Sequence, residues 1–392
     1  MQTSSLVSRD LASRRCEIVV VGGGITGCVT AYHLARAGAD VLLLERHDLN
    51  TQASGRNAGS LHGQIQHEPF LHQGEAWARG FVPALELMRD ALPLWDGLGA
   101  ELGVDLEVSR RGGVLVAETG DQLRDIERKV AVERAAGLPV RLLDRAELQE
   151  VAPYVSGRMA GGELCPDEGK VNSLVAAPAF AAAARRHGAV VETGVDVLDV
   201  QRRPGGFRLV TSRGTVDCTQ LALTAGTDLA AFGELLGVRL PVTAEPVQVS
   251  VTERVEPLVP HLVYFAGEKL TLKQAGSGAL LIGGGWPARR DRAGNPVLDP
   301  ASLRANLRVA VTVVPAVARA QLLRTWVGVG NGTPDQSPLI GRVPSAPGLV
   351  VGMFPYMGLT AGPVVGRAVA DLLLERDPGR DLTPFRPDRF AT

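Results

Sequence analysis

The sequence predicts an α/β protein in which a Rossmann-like lobe carries an inserted lobe built on a mixed or antiparallel β-sheet. Three observations predict it. A β-branched run at residues 18–21 leads straight into glycines and then into a helix-compatible stretch at 25–37 that ends at Gly38. A second apolar run at 41–44 closes a βαβ unit. Residues 241–286, by contrast, are rich in alternating strand-like segments, the pattern of a mixed or antiparallel sheet. With 392 residues the chain is about two to three times the length of a typical domain, which suits two lobes.

Each further element follows from local composition. Residues 75–98 read as helix despite Pro83 and Pro93, 113–117 as strand, and 121–136 as a charged amphipathic helix. The Ala-rich stretch 172–187 reads as helix with Asn172 or Ser173 as its cap. Short strands are expected around Val190, Val197, Leu209 and Leu221, and again at 247–251, 270–273 and 279–282. The stretch between Arg342 and Arg367 is uncharged and long enough to cross a bilayer. Pro344, Pro347, Pro355 and Pro363 interrupt it, so it reads as a buried loop leading into a last helix over 363–375. The expected division is a discontinuous nucleotide-binding lobe, 15–90, 150–235 and 325–392, with a substrate lobe from 91–149 and 236–324.

Composition removes several functions. Hydrophobic residues make up 45% and charged residues 21%, which allows a large core and argues against a disordered chain. Lys+Arg 41 against Asp+Glu 42 leaves a net charge of -1, so nucleic acid is not an expected partner. Cys16, Cys28, Cys165 and Cys218 form no CxxC pair, and His67 and His72, five apart, do not share a face. No metal site, disulfide framework or transmembrane segment is expected. The polar N-terminus, residues 1–15, lacks the apolar run of a secretory signal, and a cytoplasmic location is expected.

The chemistry begins after the first strand. Gly22, Gly24 and Gly27 fit GxGxxG, with Ile25 and Thr26 between the last two. Gly22 suits the tight turn, Gly24 lets backbone approach a pyrophosphate, and Gly27 lets helix and strand pack closely. The unpaired N–H groups of the helix start then hold the anion. Glu45 falls at the end of the second strand, where a carboxylate accepts hydrogen bonds from ribose hydroxyls and repels a 2'-phosphate. The pattern by itself does not separate NAD from FAD.

The segment Ala53-Ser54-Gly55-Arg56-Asn57-Ala58-Gly59, followed by Ser60-Leu61-His62-Gly63-Gln64, resembles the FAD-dependent amine and amino-acid oxidoreductases of the D-amino-acid oxidase superfamily. The resemblance recurs at Thr224-Ala225-Gly226, from Trp326 to Gly341, and from Gly352 to Gly366, and so spans almost the whole chain. It implies a glutathione-reductase-2-type fold with FAD in the first lobe. It also implies cofactor contacts from Arg46 and Val195, and from the C-terminal glycine turn at Gly358, Leu359 and Thr360, taken to precede the last helix. In the family the small residues 53–59 pass close to the pyrophosphate and the flavin ring.

Three residues are candidates for catalysis. Lys273, one of only four lysines, lies on an expected strand; it either stands near the flavin N5, as a lysine does in sarcosine oxidase-like members, or ends a strand in solvent. His62 either touches flavin or substrate or is a hydrogen-bonded core histidine. Tyr356, in the C-terminal loop, and Tyr264, on an inserted strand, are substrate-side donors or packed tyrosines. Arg56 can reach the cofactor phosphate or the flavin, whereas Arg324 is either an anion partner or a surface ion-pair residue. Two departures from the family stand out. No arginine occupies residues 328–332, where many members clamp a substrate carboxylate, and the C-terminal loop lacks the cysteine that attaches flavin in monomeric sarcosine oxidases. Simple glycine or D-alanine is therefore disfavoured as substrate, and the FAD is expected to be non-covalent.

The reaction implied is hydride removal from the carbon bearing a neutral amine, giving an imine that water hydrolyses. The substrate is a small-molecule amino acid or amine. Oxygen and a second protein subunit remain alternative electron acceptors, the latter as in the β-type subunits of opine, proline or sarcosine dehydrogenases. A non-catalytic FAD-binding assembly factor is the rival reading.

Overall fold

The computed structural model describes residue 11 and residues 14–391; the polar tail expected at 1–15 lies almost wholly outside them. β1 (Arg14–Val21) and β2 (Val41–Leu44) are apolar runs, as expected of parallel strands covered on both faces. Between them α1 (Ile25–Arg36) starts on Gly24 and stops before Gly38, which is left-handed at φ 88°. One turn, α2 (Ala53–Arg56), and a short strand, β3 (Ser60–Leu61), lead to α3 (His67–Leu102). The helix expected over 75–98 is thus longer, and it kinks at Gly74 (φ 77°) rather than at Pro83 or Pro93. Phe81, Leu85, Met88, Leu92 and Trp95 form its buried stripe while Pro93 is exposed, so water can serve the carbonyl that Pro93 leaves unpaired.

β4 (Gly113–Ala117) lies where expected, and α4 (Gly120–Ala135) opens on a Thr119/Gln122 capping box. β5 (Arg141–Asp144), α5 (Arg145–Val151), β6 (Gly161–Cys165) and β7 (Gly169–Lys170) follow. Asn172 caps α6 (Ser173–Arg186), its side chain accepting from Leu174 N–H. β8 (Val190–Glu192), β9 (Val197–Arg203), β10 (Gly206–Thr211) and β11 (Gly214–Leu223) match the four expected strands. After α7 (Leu229–Leu236) come β12 (Thr243–Arg254), β13 (Leu262–Phe265), β14 (Thr271–Gln274) and β15 (Ala279–Gly283). A small hairpin, β16 (Arg289–Arg290) with β17 (Pro296–Val297), precedes α8 (Pro300–Val313), which Asp299 caps.

The chain ends in β18 (Leu322–Gly332), β19 (Leu339–Arg342), β20 (Leu349–Met353) and α9 (Gly358–Leu373). Two expectations are corrected here. Residues 342–367 are not all loop and helix start, because fully buried β20 lies among them. The last helix begins at Gly358, not 363: the glycine turn is already its first turn, and Pro363 costs one hydrogen bond that packing on α1 offsets.

The first sheet runs β19-β20-β11-β1-β2-β8, parallel except for edge strand β19, with β9 and β10 extending from β11 as an antiparallel meander. The second runs β18-β12-β15-β14-β13-β4-β6-β5, antiparallel except for the β13–β4 pair. Strand pairing redraws the expected lobes. β6, inside 150–235, pairs with β4 and β5, and β18, mostly inside 325–392, pairs with β12. A boundary at 90 would also cut α3.

α1 and α9 are parallel neighbours. An ideal Cβ on Gly362 would lie 2.7 Å from Ile25, and one on Gly366 would lie 2.5 Å from Val29. Four residues along one helix match four along the other, so both N-termini lie at the same end.

Candidate functional site

The turn from β1 into α1 is shaped by two glycines. Gly22 has φ 105°, and a Cβ there would stand 2.6 Å from the Thr224 carbonyl oxygen. At Gly27 a Cβ would come within 1.9 Å of the Gly22 carbonyl oxygen, so the helix could not lie this close to the strand. Gly24, the N-cap, has no side chain to cap α1, and no acidic residue occupies the first turn. The Ile25 N–H donates to Ser54 Oγ (2.9 Å), and the positive end of the helix faces a cavity of about 1140 Å3.

The cavity wall is built from strand ends. Glu45, just past β2, accepts from Gly23 N–H (2.7 Å) and His47 N–H (2.8 Å), which sets its carboxylate beside the turn. Arg46 pairs with Asp228 at 2.7 Å. Thr224 Oγ donates to the Val21 and Gly22 carbonyls, and Ala225, Gly226 and Val195 continue the wall. On the other side stand Ala53, Ser54, Arg56, Asn57 and Ala58; the Arg56 guanidinium donates to the Thr51 and Val327 carbonyls, tying α2 to β18. The start of α9, at Gly358 and Leu359, also lines the cavity, again with no side-chain cap and no acidic residue in the first turn. Two parallel helix dipoles therefore point their positive ends into one cavity.

Below this wall the polar groups are interlinked. His62 lines the cavity; its N–H donates to Thr360 Oγ (2.9 Å) and its Nδ1 lies 2.8 Å from the Tyr264 hydroxyl. Burial, and then the charge of Lys273, lower the imidazole to about 3, so it is neutral. The Tyr264 hydroxyl also donates to Glu168 Oε1 (3.0 Å). Burial raises Glu168 to about 7 in spite of the hydrogen bonds that favour its carboxylate. Lys273 is 1% exposed and donates to Ser60 Oγ. Deeper still, Lys129 lies 2.6 Å from Glu133 and 2.8 Å from Glu163, all three fully buried. Burial alone would depress Lys129, but the two carboxylates outweigh it and raise its pKa.

Most residues singled out on sequence converge on this cavity. Gly22, Gly24, Ile25, Thr26, Glu45 and Arg46 line it, as do Ala53, Ser54, Arg56, Asn57, Ala58, Val195, Thr224–Gly226, Gly358 and Leu359. Gly27, Gly59, Thr360 and Lys273 stand behind the wall. Gly27 and Gly59 are packing positions, a Cβ on Gly59 meeting the Val171 carbonyl oxygen at 2.3 Å, while Thr360 and Lys273 bond to wall residues His62 and Ser60. Lys273 is buried, so a strand-end lysine in solvent is ruled out. Tyr356 also lines the cavity, 42% exposed at φ 55°, with its hydroxyl donating to Glu245 Oε1 (3.2 Å). Sequence reasoning missed Glu168 and the Lys129–Glu133–Glu163 group. Glu168 sits in an unremarkable polar loop, and only the fold brings it to Tyr264.

Residues 17–372 match the family described as "FAD dependent oxidoreductase", DAO. The chain is 28% identical over 385 residues to the sarcosine oxidase subunit beta of Rhizobium meliloti (strain 1021), covering 95% of this chain and 88% of that protein. It is 27% identical over 379 residues to the glycine oxidase of Geobacillus kaustophilus (strain HTA426), covering 95% and 97%. The crystal structure of glycine oxidase from Geobacillus kaustophilus superposes with a TM-score of 0.84 at 25% identity, covering 97% of this chain and 100% of that one.

Proposed function

This chain belongs to the DAO family of FAD-dependent oxidoreductases, and from that premise we propose how its own residues serve the reaction. It is an FAD-dependent enzyme that oxidises the C–N bond of an amino acid or secondary amine. Bound FAD supplies the hydride acceptor, which leaves an imine for water to hydrolyse.

The observation that carries this reading is the pair of parallel, uncapped helix starts opening on one cavity with Glu45 in its wall. Gly22, Gly24, Ile25 and Thr26 would hold the diphosphate on the first helix start, and Glu45 would accept from ribose hydroxyls. Thr224–Gly226 and the 53–58 segment would flank the rest of the cofactor. The start of α9 offers positive potential to whatever negative charge develops at its end of the cavity. Cys16, Cys28, Cys165 and Cys218 are buried and none of them lines the cavity, which supports non-covalent attachment. No described helix is long and apolar enough to cross a membrane.

On the substrate side, His62 and Tyr264 present the polar groups, and Tyr356 with Glu245 stands at the same cavity. The β18 wall offers Gly328, Val329, Gly330 and Asn331 in place of a guanidinium, which disfavours glycine or D-alanine. Similarity to sarcosine oxidase β subunits supports work with a second polypeptide.

The test is an anaerobic screen of amino acids, N-alkyl amino acids and opines against the yellow protein. Bleaching of the visible flavin band by one class identifies the substrate; no bleaching by any amine would sink the enzymatic reading and leave an FAD-binding assembly factor. Copurification with a different polypeptide tests the heteromer, which a lone chain making peroxide would refute.

A further inference from the structure

The hydrogen bonds behind the cavity continue inward from His62 in one line. Its Nδ1 is 2.8 Å from the Tyr264 hydroxyl, which is 3.0 Å from Glu168 Oε1. His62 and Tyr264 line the cavity, whereas Glu168 is fully buried. The fold makes room for this carboxylate: a Cβ on Gly113 would fall 1.7 Å from its Oε2. Gly63 N–H (2.6 Å) and Gln64 N–H (3.2 Å) donate to Oε1, and Gln64 Nε2 (2.9 Å) donates to Oε2. No Lys or Arg pairs with it among the described residues; Lys129 stops at Gln64 Oε1, 3.2 Å away.

A tyrosine hydroxyl has one proton to share between two neighbours, so this line has two self-consistent arrangements. With Glu168 ionised, Tyr264 donates to it, His62 carries its proton on Nδ1, and Nε2 is a free base. With Glu168 protonated, it donates to Tyr264, Tyr264 donates to Nδ1, and the His62 proton sits on Nε2. The two differ by one proton exchanged at Nε2, which makes no hydrogen bond within the described residues. His62 is neutral in both.

An amine must be neutral before its α-carbon can release a hydride, yet amino groups near neutral pH are largely protonated. We propose that Glu168, acting through Tyr264 and His62, is the terminal acceptor for the proton of the substrate ammonium. The ammonium proton passes to His62 Nε2, the Nδ1 proton to the Tyr264 oxygen, and the Tyr264 proton to Glu168 Oε1. One proton enters and one carboxylate is neutralised; no electrons move. This deepens the function proposed above and rests on it.

The surroundings place the proton at the inner end. Burial raises Glu168 to about 7 and lowers His62 to about 3, so the imidazolium is a poor resting place. Lys273 faces His62 from β14 and Cys165 faces Glu168 from β6. Glu163 on β6 and Glu133 on α4, with Lys129 between them, lie beyond Gln64.

Two measurements separate the relay from the reaction it serves. In the protein as isolated, labelled with 15N-histidine, the neutral His62 ring should carry its proton on Nδ1 above about pH 7 and on Nε2 below it, and Tyr264→Phe should abolish the switch. A ring fixed on Nε2 or titrating to imidazolium near neutral pH overturns the relay. In anaerobic flavin reduction by an amine, the limiting rate should fall as pH drops through about 7. Glu168→Gln and Tyr264→Phe should each lose that limb and slow by roughly 100-fold, with FAD still bound. If both keep the wild-type pH profile, the relay is wrong although the enzyme works. If no amine reduces the flavin, the enzymatic reading fails and the His62 tautomer decides the relay alone.

Discussion

The Lys273 amine nitrogen sits 2.6 Å from Ser60 Oγ, joining the middle of the second sheet to the segment beneath the start of α9. Burial first, and then the charge of Lys170, lower this lysine from 10.5 to about 7. Between those values the unfolded chain binds more protons than the folded one, so this group makes stability rise with pH from about 7 to about 10.5. Below about 7 both states are protonated and the full cost of burying the ammonium is present. Lys273→Met should therefore stabilise the protein below about pH 7, by a few kcal/mol, with the gain fading toward pH 10.5. Urea titrations of both proteins across this range check it; a gain independent of pH would show that the amine is not depressed.

Gly24→Asp should separate folding from cofactor binding. Aspartate is a strong N-cap and the Gly24 backbone (φ -73°) suits it, so stability should hold or rise by up to about 1 kcal/mol, although its Cβ comes within 3.1 Å of Ser54 Oγ. The same carboxylate takes the free N–H groups and repels a diphosphate, so FAD affinity should fall by about 100-fold or more. Calorimetric titration of FAD into the apoprotein measures it, and unchanged affinity would place the diphosphate elsewhere.

Gly366→Ala should be costly where Gly358→Ala is not. A Cβ on Gly366 would stand 2.5 Å from Val29 and 2.8 Å from the Thr26 carbonyl oxygen, whereas one on Gly358 meets nothing within 4 Å. The first should destabilise by about 1–3 kcal/mol by forcing α1 from α9, and the second by less than about 0.5 kcal/mol. Equal effects in denaturant titrations would contradict the close packing of the two helices.

Lys129→Met should destabilise by about 3–5 kcal/mol, because Glu133 and Glu163 would remain buried without their cation. Burial, and then the Glu133 charge, already push Glu163 well above the usual carboxylate range. Adding Glu163→Gln to Lys129→Met should recover part of the loss. A double-mutant cycle at neutral pH measures the coupling, and strict additivity would mean that the three groups act independently.

Features governed by neighbours along the chain were legible before the fold was known. The Gly22–Gly27 turn, the Asn172 cap, β4 and the carboxylate of Glu45 depend on residues within one turn or one βαβ unit. Ala53, Ser54, Arg56, Asn57, Ala58 and Gly358, expected through resemblance rather than periodicity to meet the cofactor, all line the cavity. The start of α9 was misplaced because glycines and a proline read locally as a breaker, whereas the Ile25–Gly362 and Val29–Gly366 contacts hold that turn in the helix.

From the amino-acid order alone came a dinucleotide turn and two sheet types, and from the family resemblance came the flavin. Tertiary structure alone decided that Lys273 is buried rather than solvated, that β6 and β18 join the second sheet, and that Tyr264 meets both His62 and Glu168. The reason is one of range. A turn or a cap is settled by dihedral angles and hydrogen bonds a few residues apart, but the charge state of a buried group depends on desolvation by distant segments. Lys273 and Ser60, 213 residues apart, meet only once both sheets have closed around them.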